Sequence, residues 1–119
     1  MACRITELVL DCTDPELLAN FWCAVLDFRV TDRDESGVAI GPADRRFELL
    51  FLRSDEPKKQ KLRLHIDVSA TDRDQQSELE RLLALGAQKI DIGQGEQSWH
   101  VLADPEGNEF CLLRRRVTP

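Results

Sequence analysis

Glu7, Glu48, His65 and Cys111 are the four side chains of this 119-residue chain whose types and places could do chemistry together. Two carboxylates, one imidazole and one thiol are the groups of proton transfer, nucleophilic attack and metal coordination. They come to one place only if the chain repeats itself, and it does. Glu7-Leu8-Val9-Leu10 runs into Asp14, and His65-Ile66-Asp67-Val68 runs into Asp72 by the same step. Phe47-Glu48-Leu49-Leu50 is echoed by Phe110-Cys111-Leu112-Leu113. Two copies of so long a unit cannot make a solenoid, but they can make two small α/β modules that pair.

The elements that must position these groups are readable in order. Ile5 to Cys12 is rich in aliphatic residues and predicts a strand. Asp14-Pro15 predicts a helix start, with Asp as the cap and Pro at the first helical position. Leu17, Leu18, Phe21, Trp22, Val25 and Leu26 then form one apolar stripe at helical spacing. Strands are expected at 28–31, 37–40 and 47–53. Asp55 to Lys61, polar with Pro57 and three lysines, is expected to be a linker. The order then restarts with a strand at 62–68. A helix capped by Asp72 or a neighbour follows, with its stripe at Leu79, Leu82, Leu83 and Leu85 and its stop at Gly86. Further strands are expected at 89–92, 98–103 and 109–114, with a turn at 104–108. Each half reads β-α-β-β-β, module one over 4–54 and module two over 62–114, in one domain spanning 1–119. The fold class is α+β.

Side chains of a strand alternate between its faces. Leu8 and Leu10 share one face, Glu7, Val9 and Asp11 the other. Leu64, Ile66 and Val68 oppose His65 and Asp67. Phe110 and Leu112 oppose Cys111 and Leu113. The purely apolar faces should lie under the two helices. Glu7, Val9, Glu48, Leu50, His65, Asp67 and Cys111 then share the opposite faces. Glu48 and His65 are expected within direct or water-bridged contact.

Composition narrows the partners. The net charge of −6 lacks the basic character that phosphate-backbone binding needs, so no nucleic acid is expected. Arg114-Arg115-Arg116 reads as a solvated tail. No segment approaches the roughly 18 apolar residues of a membrane span, so no membrane is expected. With no export signal, Cys3, Cys12, Cys23 and Cys111 read as reduced thiols and the cytoplasm as the compartment. Gly93-Gln94-Gly95 lacks the third glycine and the preceding long strand of a dinucleotide fingerprint. Open sheet edges in so short a chain point to a homodimer.

The paired modules, together with Leu10-Asp11-Cys12-Thr13-Asp14-Pro15, His65-Ile66-Asp67-Val68 and Asp104 to Leu113, resemble the vicinal oxygen chelate superfamily. That superfamily includes glyoxalase I, extradiol dioxygenases and bleomycin-resistance proteins. The match extends over nearly the whole chain and is similar to small stand-alone glyoxalase-like proteins of bacteria. The resemblance implies that each module curls its sheet into half of a cavity. It also implies metal ligands on the first and last strands of each module, at Glu7, Glu48, His65 and Cys111. Glyoxalase-type sites carry His or Gln, Glu, His and Glu. Glu7 departs from that pattern but can bind a metal. Cys111 replaces a carboxylate that is also a candidate general base, which tells against isomerase chemistry.

As a metal site the set suits Zn²⁺, Fe²⁺, Mn²⁺ or Ni²⁺, and a thiolate would favour Zn²⁺. It would also place three negative charges on one divalent ion unless some groups stay protonated. Otherwise Glu48 and His65 are polar pocket groups or an ion pair, and Cys111 is a small buried hydrophobe. A Cys111 nucleophile would need His65 as its base. Trp22 belongs to the core stripe. Trp99, with Val101 beside it by parity, can wall a ligand cavity, with His100 pointing away. Two functions fit. One is a small-molecule-binding protein without a full metal site and with no cofactor, as in bleomycin resistance. The other is a divalent-metal-dependent lyase, isomerase or dioxygenase that polarises adjacent oxygens of its substrate.

Overall fold

The computed structural model describes residues 1–119 and divides into two compact units, Met1–Pro57 and Lys58–Pro119. Both have the expected α+β order. In the first unit, strand β1 (Glu7–Cys12) leads to helix α1 (Pro15–Leu26), then β2 (Arg29–Asp34), β3 (Gly37–Gly41) and β4 (Glu48–Arg53). Helix α1 starts where Asp14 accepts a hydrogen bond from the Leu17 N–H at 3.1 Å, with Pro15 just inside. It stops where Asp27 turns left-handed at φ 56° and its N–H returns to the Cys23 carbonyl.

The sheet order is β1-β4-β3-β2. β4 pairs parallel with β1, so that Glu7 faces Glu48 and Val9 faces Leu50. Its other side pairs antiparallel with β3, where Ala39 faces Leu50 and Ile40 faces Leu49. The β2–β3 turn is braced by Asp34, whose carboxylate accepts from the Ser36 N–H, the Ser36 hydroxyl and the Gly37 N–H. Val38, Ile40, Leu49 and Phe51 are buried together with Leu18, Phe21 and Trp22 of the helix. Phe21 and Trp22 meet edge to face at 5.3 Å, so Trp22 is core as its stripe predicts. Leu17, on the same predicted stripe, is exposed.

The second unit has β5 (Ile66–Val68), helix α2 (Gln75–Leu85), β6 (Gln88–Lys89), β7 (His100–Ala103) and β8 (Glu109–Leu112), in the sheet order β5-β8-β7-β6. β5 is parallel to β8, and Asp67 faces Cys111. β7 is antiparallel to β8, and Val101 faces Cys111. Asp74 caps α2 by accepting from the Ser77 N–H at 2.8 Å, while Asp72 is taken by Arg73. Gly86 closes the helix at φ 118°. Leu79 and Leu82 are buried, but Leu83 and Leu85 are exposed, so the stripe is narrower than its leucines suggest. The strands are shorter than the apolar runs that predict them, and Leu62 to His65 lies ahead of β5. The turn before β8 is tied by Asp104, whose carboxylate accepts from Glu106 N–H, Asn108 N–H and the Asn108 amide. Arg114, Arg115 and Arg116 are exposed. No helix is long and apolar enough to cross a membrane.

One position shows how tightly β3 and β4 meet. A Cβ on buried Gly37 would overlap the Phe51 carbonyl oxygen, which is backbone and cannot swing away. Gly37→Ala should therefore part the strands and cost about 2 kcal/mol. Urea unfolding checks this; an unchanged midpoint would show that the pairing tolerates a methyl group.

Candidate functional site

Strand parity decides what each sheet shows on the face away from its helix. In the first unit Leu8 and Leu10 are more buried than Glu7, Val9 and Asp11, as alternation requires. Glu7, Glu48, Leu50 and Ala39 line a cavity of about 160 Å³ together with the β2–β3 hairpin. Val9, one pair further along β1, is half exposed. The Glu7 and Glu48 carboxylates stand on directly paired residues, and neither has a hydrogen-bond or ion-pair partner. Arg33, on the hairpin, is already paired with Glu16 at 2.6 Å, which raises its guanidinium above the ordinary value. The cavity therefore keeps an acidic character.

In the second unit Val101, Cys111 and Asp67 form one row across β7, β8 and β5. Burial pushes the Cys111 thiol above its ordinary 9.0, and the adjacent Asp67 carboxylate adds to the rise; the Lys61 ammonium opposes it. The unliganded thiol is therefore harder to ionise than a free cysteine. His65 is exposed ahead of β5. Its Nε2 lies 2.9 Å from both the Lys61 ammonium and the Leu62 carbonyl oxygen. That nitrogen can accept from Lys61 or donate to Leu62, and is occupied either way.

The structure brings Glu7 together with Glu48, and Asp67 together with Cys111. It does not place His65 opposite Cys111. Asp67 stands to Cys111 as Glu7 stands to Glu48, and it precedes the capping Asp74 by the same step as Glu7 precedes Asp14. The internal equivalence is thus Glu7 with Asp67, two residues beyond His65. Within neither unit do three His, Cys, Asp or Glu side chains gather at metal-binding spacing. The last two places of the four-ligand set, His65 and Cys111, are therefore not paired across the strands as Glu7 and Glu48 are.

Sequence reasoning missed Glu109 and Lys58. Glu109 shares the parity of Cys111, is buried, and accepts from the Lys58 ammonium at 2.6 Å and the Leu62 N–H at 3.1 Å. A charged residue at an inward parity was the available signal. The expected linker is therefore tied onto β8 from Lys58 onward. Trp99 and Val101 do line one cavity, of about 500 Å³, at the loop before β7. His100, expected to point away, lines it too, because it sits at the first position of β7, where the cavity meets the strand end.

A family model described as a glyoxalase-like domain matches residues 7–113. Compared by sequence with curated proteins, the chain matches none at a significant level. Among solved structures it is similar to a glyoxalase/bleomycin resistance protein/dioxygenase family enzyme from Burkholderia phytofirmans PsJN. The TM-score there is 0.68 and the identity 14%, over 90% of this chain and 94% of that one. Fosfomycin resistance protein FosX from Mesorhizobium loti gives 0.70 and 18%, over 94% and 92%. A mutant FosX from Listeria monocytogenes, complexed with Mn(II) and 1S,2S-dihydroxypropylphosphonic acid, gives 0.71 and 17%, over 95% and 90%. At these identities the structural likeness is one of fold.

The Glu109 pair makes stability depend on pH. Burial alone would raise the Glu109 carboxyl, but the hydrogen bonds from Lys58 and Leu62 and the Lys58 charge bring it below its ordinary 4.5. A lowered folded value means that the stabilisation is complete above the unfolded value and is lost as pH falls through the folded one. Glu109→Gln should cost about 1–2 kcal/mol at neutral pH, with the gap closing in acid. Urea titrations of both proteins at neutral and acid pH test this; a gap independent of pH would rule the pair out as its source.

Proposed function

Because the chain belongs to the glyoxalase-like family of the vicinal oxygen chelate superfamily, we propose that it is a small-molecule-binding protein that holds its ligand without a complete divalent-metal centre. One observation carries this reading: a thiol, Cys111, paired across the sheet with Asp67, stands where glyoxalase-type sites carry a carboxylate. A thiol is a softer donor than the carboxylate it replaces and is less suited to the hard divalent ions of an oxygen-rich site. Two cavities, one on the helix-free face of the first unit walled by Leu50 and one at the loop before β7 walled by Trp99 and Val101, offer apolar surface with a few polar groups, the usual make-up of a ligand site.

The partnerless pair Glu7 and Glu48 favours a second reading, a metal-dependent lyase, isomerase or dioxygenase acting on an oxygenated substrate. Metal analysis separates the two. Protein purified without chelators should hold less than one equivalent of Mn, Fe, Co, Ni and Zn combined, and Cys111→Glu should bind a divalent ion more tightly than the parent. A full equivalent of one metal in the parent would overturn the metal-free reading. Equal metal affinity in parent and variant, with circular dichroism unchanged, would show that this position does not gate binding.

The protein works as a homodimer in this reading. Each sheet has two edges, β1 and β2 in one unit and β5 and β6 in the other, and uncovered edges are normally paired or protected. Light scattering at micromolar concentration should give twice the 13.6 kDa chain mass; the single-chain mass would exclude the dimer.

A further inference from the structure

The cavity of the second unit has a chemical character of its own. It is lined by Lys89, Gln94, Gln97, Trp99, His100 and Val101, among others. Its volume of about 500 Å³ lies within the range of small-molecule sites. Trp99 is 37% exposed, whereas Trp22 is buried in the core, so one of the two indoles is available to a ligand. The Ser98 carbonyl beside it accepts from the Gln75 amide of α2 at 2.9 Å, which fixes where Trp99 leaves the chain.

The facing loop is braced from within. The Gln94 amide accepts from Ile92 N–H at 2.8 Å and donates to the Ile90 carbonyl, and Gln97 donates to the Gln94 carbonyl at 2.8 Å. A wall that is already ordered costs a ligand little entropy to meet. The Lys89 ammonium has no ion-pair partner. Burial, and then the Lys89 charge, lower the His100 imidazole below its ordinary 6.5, so it is neutral and can both donate and accept. Glu96 is the one carboxylate of the lining; it is exposed on the loop and is not among the groups that shift His100.

We propose that this cavity takes a flat aromatic or conjugated ligand bearing an anionic group, with the ring against Trp99 and the anion on Lys89. The inference rests on the ligand-binding reading above and names the ligand class for it. Naphthoate, naphthylmethanol and naphthylmethylammonium share one ring system and differ in charge. Titrated into the intact protein, they can be followed on the indole N–H signals by nitrogen–proton NMR, with buried Trp22 as the internal reference.

Naphthoate should move the Trp99 signal saturably and leave that of Trp22 in place. Naphthylmethylammonium should bind roughly tenfold more weakly, since an attraction is lost and a repulsion of similar size replaces it. Lys89→Met should remove the preference among the probes, and Trp99→Ala, followed by titration calorimetry because it lacks the reporting indole, should weaken all three. Equal binding of the three probes at Trp99, or a charge preference that survives Lys89→Met, overturns the ligand class while leaving the binding reading in place. A Trp99 signal that no probe moves overturns the site. The binding reading itself falls on the metal analysis, which this titration does not touch.

Discussion

In both units the first strand lies parallel to the last, β1 against β4 and β5 against β8, and the rest of the architecture follows from that pairing. Parallel neighbours cannot be joined by a tight turn, so the chain must cross over, and here it does so through a helix and a hairpin. The helix covers one face of its sheet. Alternation along each strand then separates an apolar set beneath the helix from a mixed set on the other face. Phe51 and Leu49 belong to the first set and Leu50 and Glu48 to the second, although they are adjacent in sequence. The close approach of β3 to β4 at Gly37 keeps this separation in register.

The two helix-free faces share a plan and differ in charge. The first unit shows Glu7 and Glu48 on paired residues, with Asp32 and Asp34 on the hairpin beside them. The second shows Lys58 on Glu109, Lys61 against His65, and Lys89 in the wall of the Trp99 cavity. The Glu7 and Glu48 carboxylates have no cationic partner, whereas Glu109 has Lys58. Cys111, half-buried beside Asp67, belongs to the same divergence, since a thiol stands there where Glu48 stands in the first unit.

Much of this was legible in the sequence. Asp14-Pro15 announced α1, Trp22 its buried side, and the repeat the doubled β-α-β-β-β order. Parity assigned Glu7, Glu48, Asp67 and Cys111 to the helix-free faces, and the burial of their neighbours agrees. What failed was the two-residue phase of the repeat. Asp72 and Asp74 can each cap a helix, and the sequence alone does not choose between them; in the folded chain Arg73 engages Asp72 and leaves the cap to Asp74. A slip of two residues preserves strand parity, and the register puts Asp67 rather than His65 opposite Cys111. The Lys58–Glu109 pair was out of reach for another reason. Its partners are far apart in the chain, and no local rule joins them. The association of Glu48 with His65 depends on how the two units meet and remains an expectation of the sequence.

The turn from Asp104 to Asn108 has a consequence for how such chains are recognised. Its most distinctive residues close the turn: one buried carboxylate accepts from the Glu106 and Asn108 backbone N–H groups and from the Asn108 side-chain amide. This closure serves the hairpin itself, whatever the chain binds. The residues that set the chemistry, such as Cys111 and Lys89, carry no comparable obligation and can drift with the ligand. Ancestry is therefore written in the scaffold's polar closures and activity in its freer positions, and the two can part company within a single lineage.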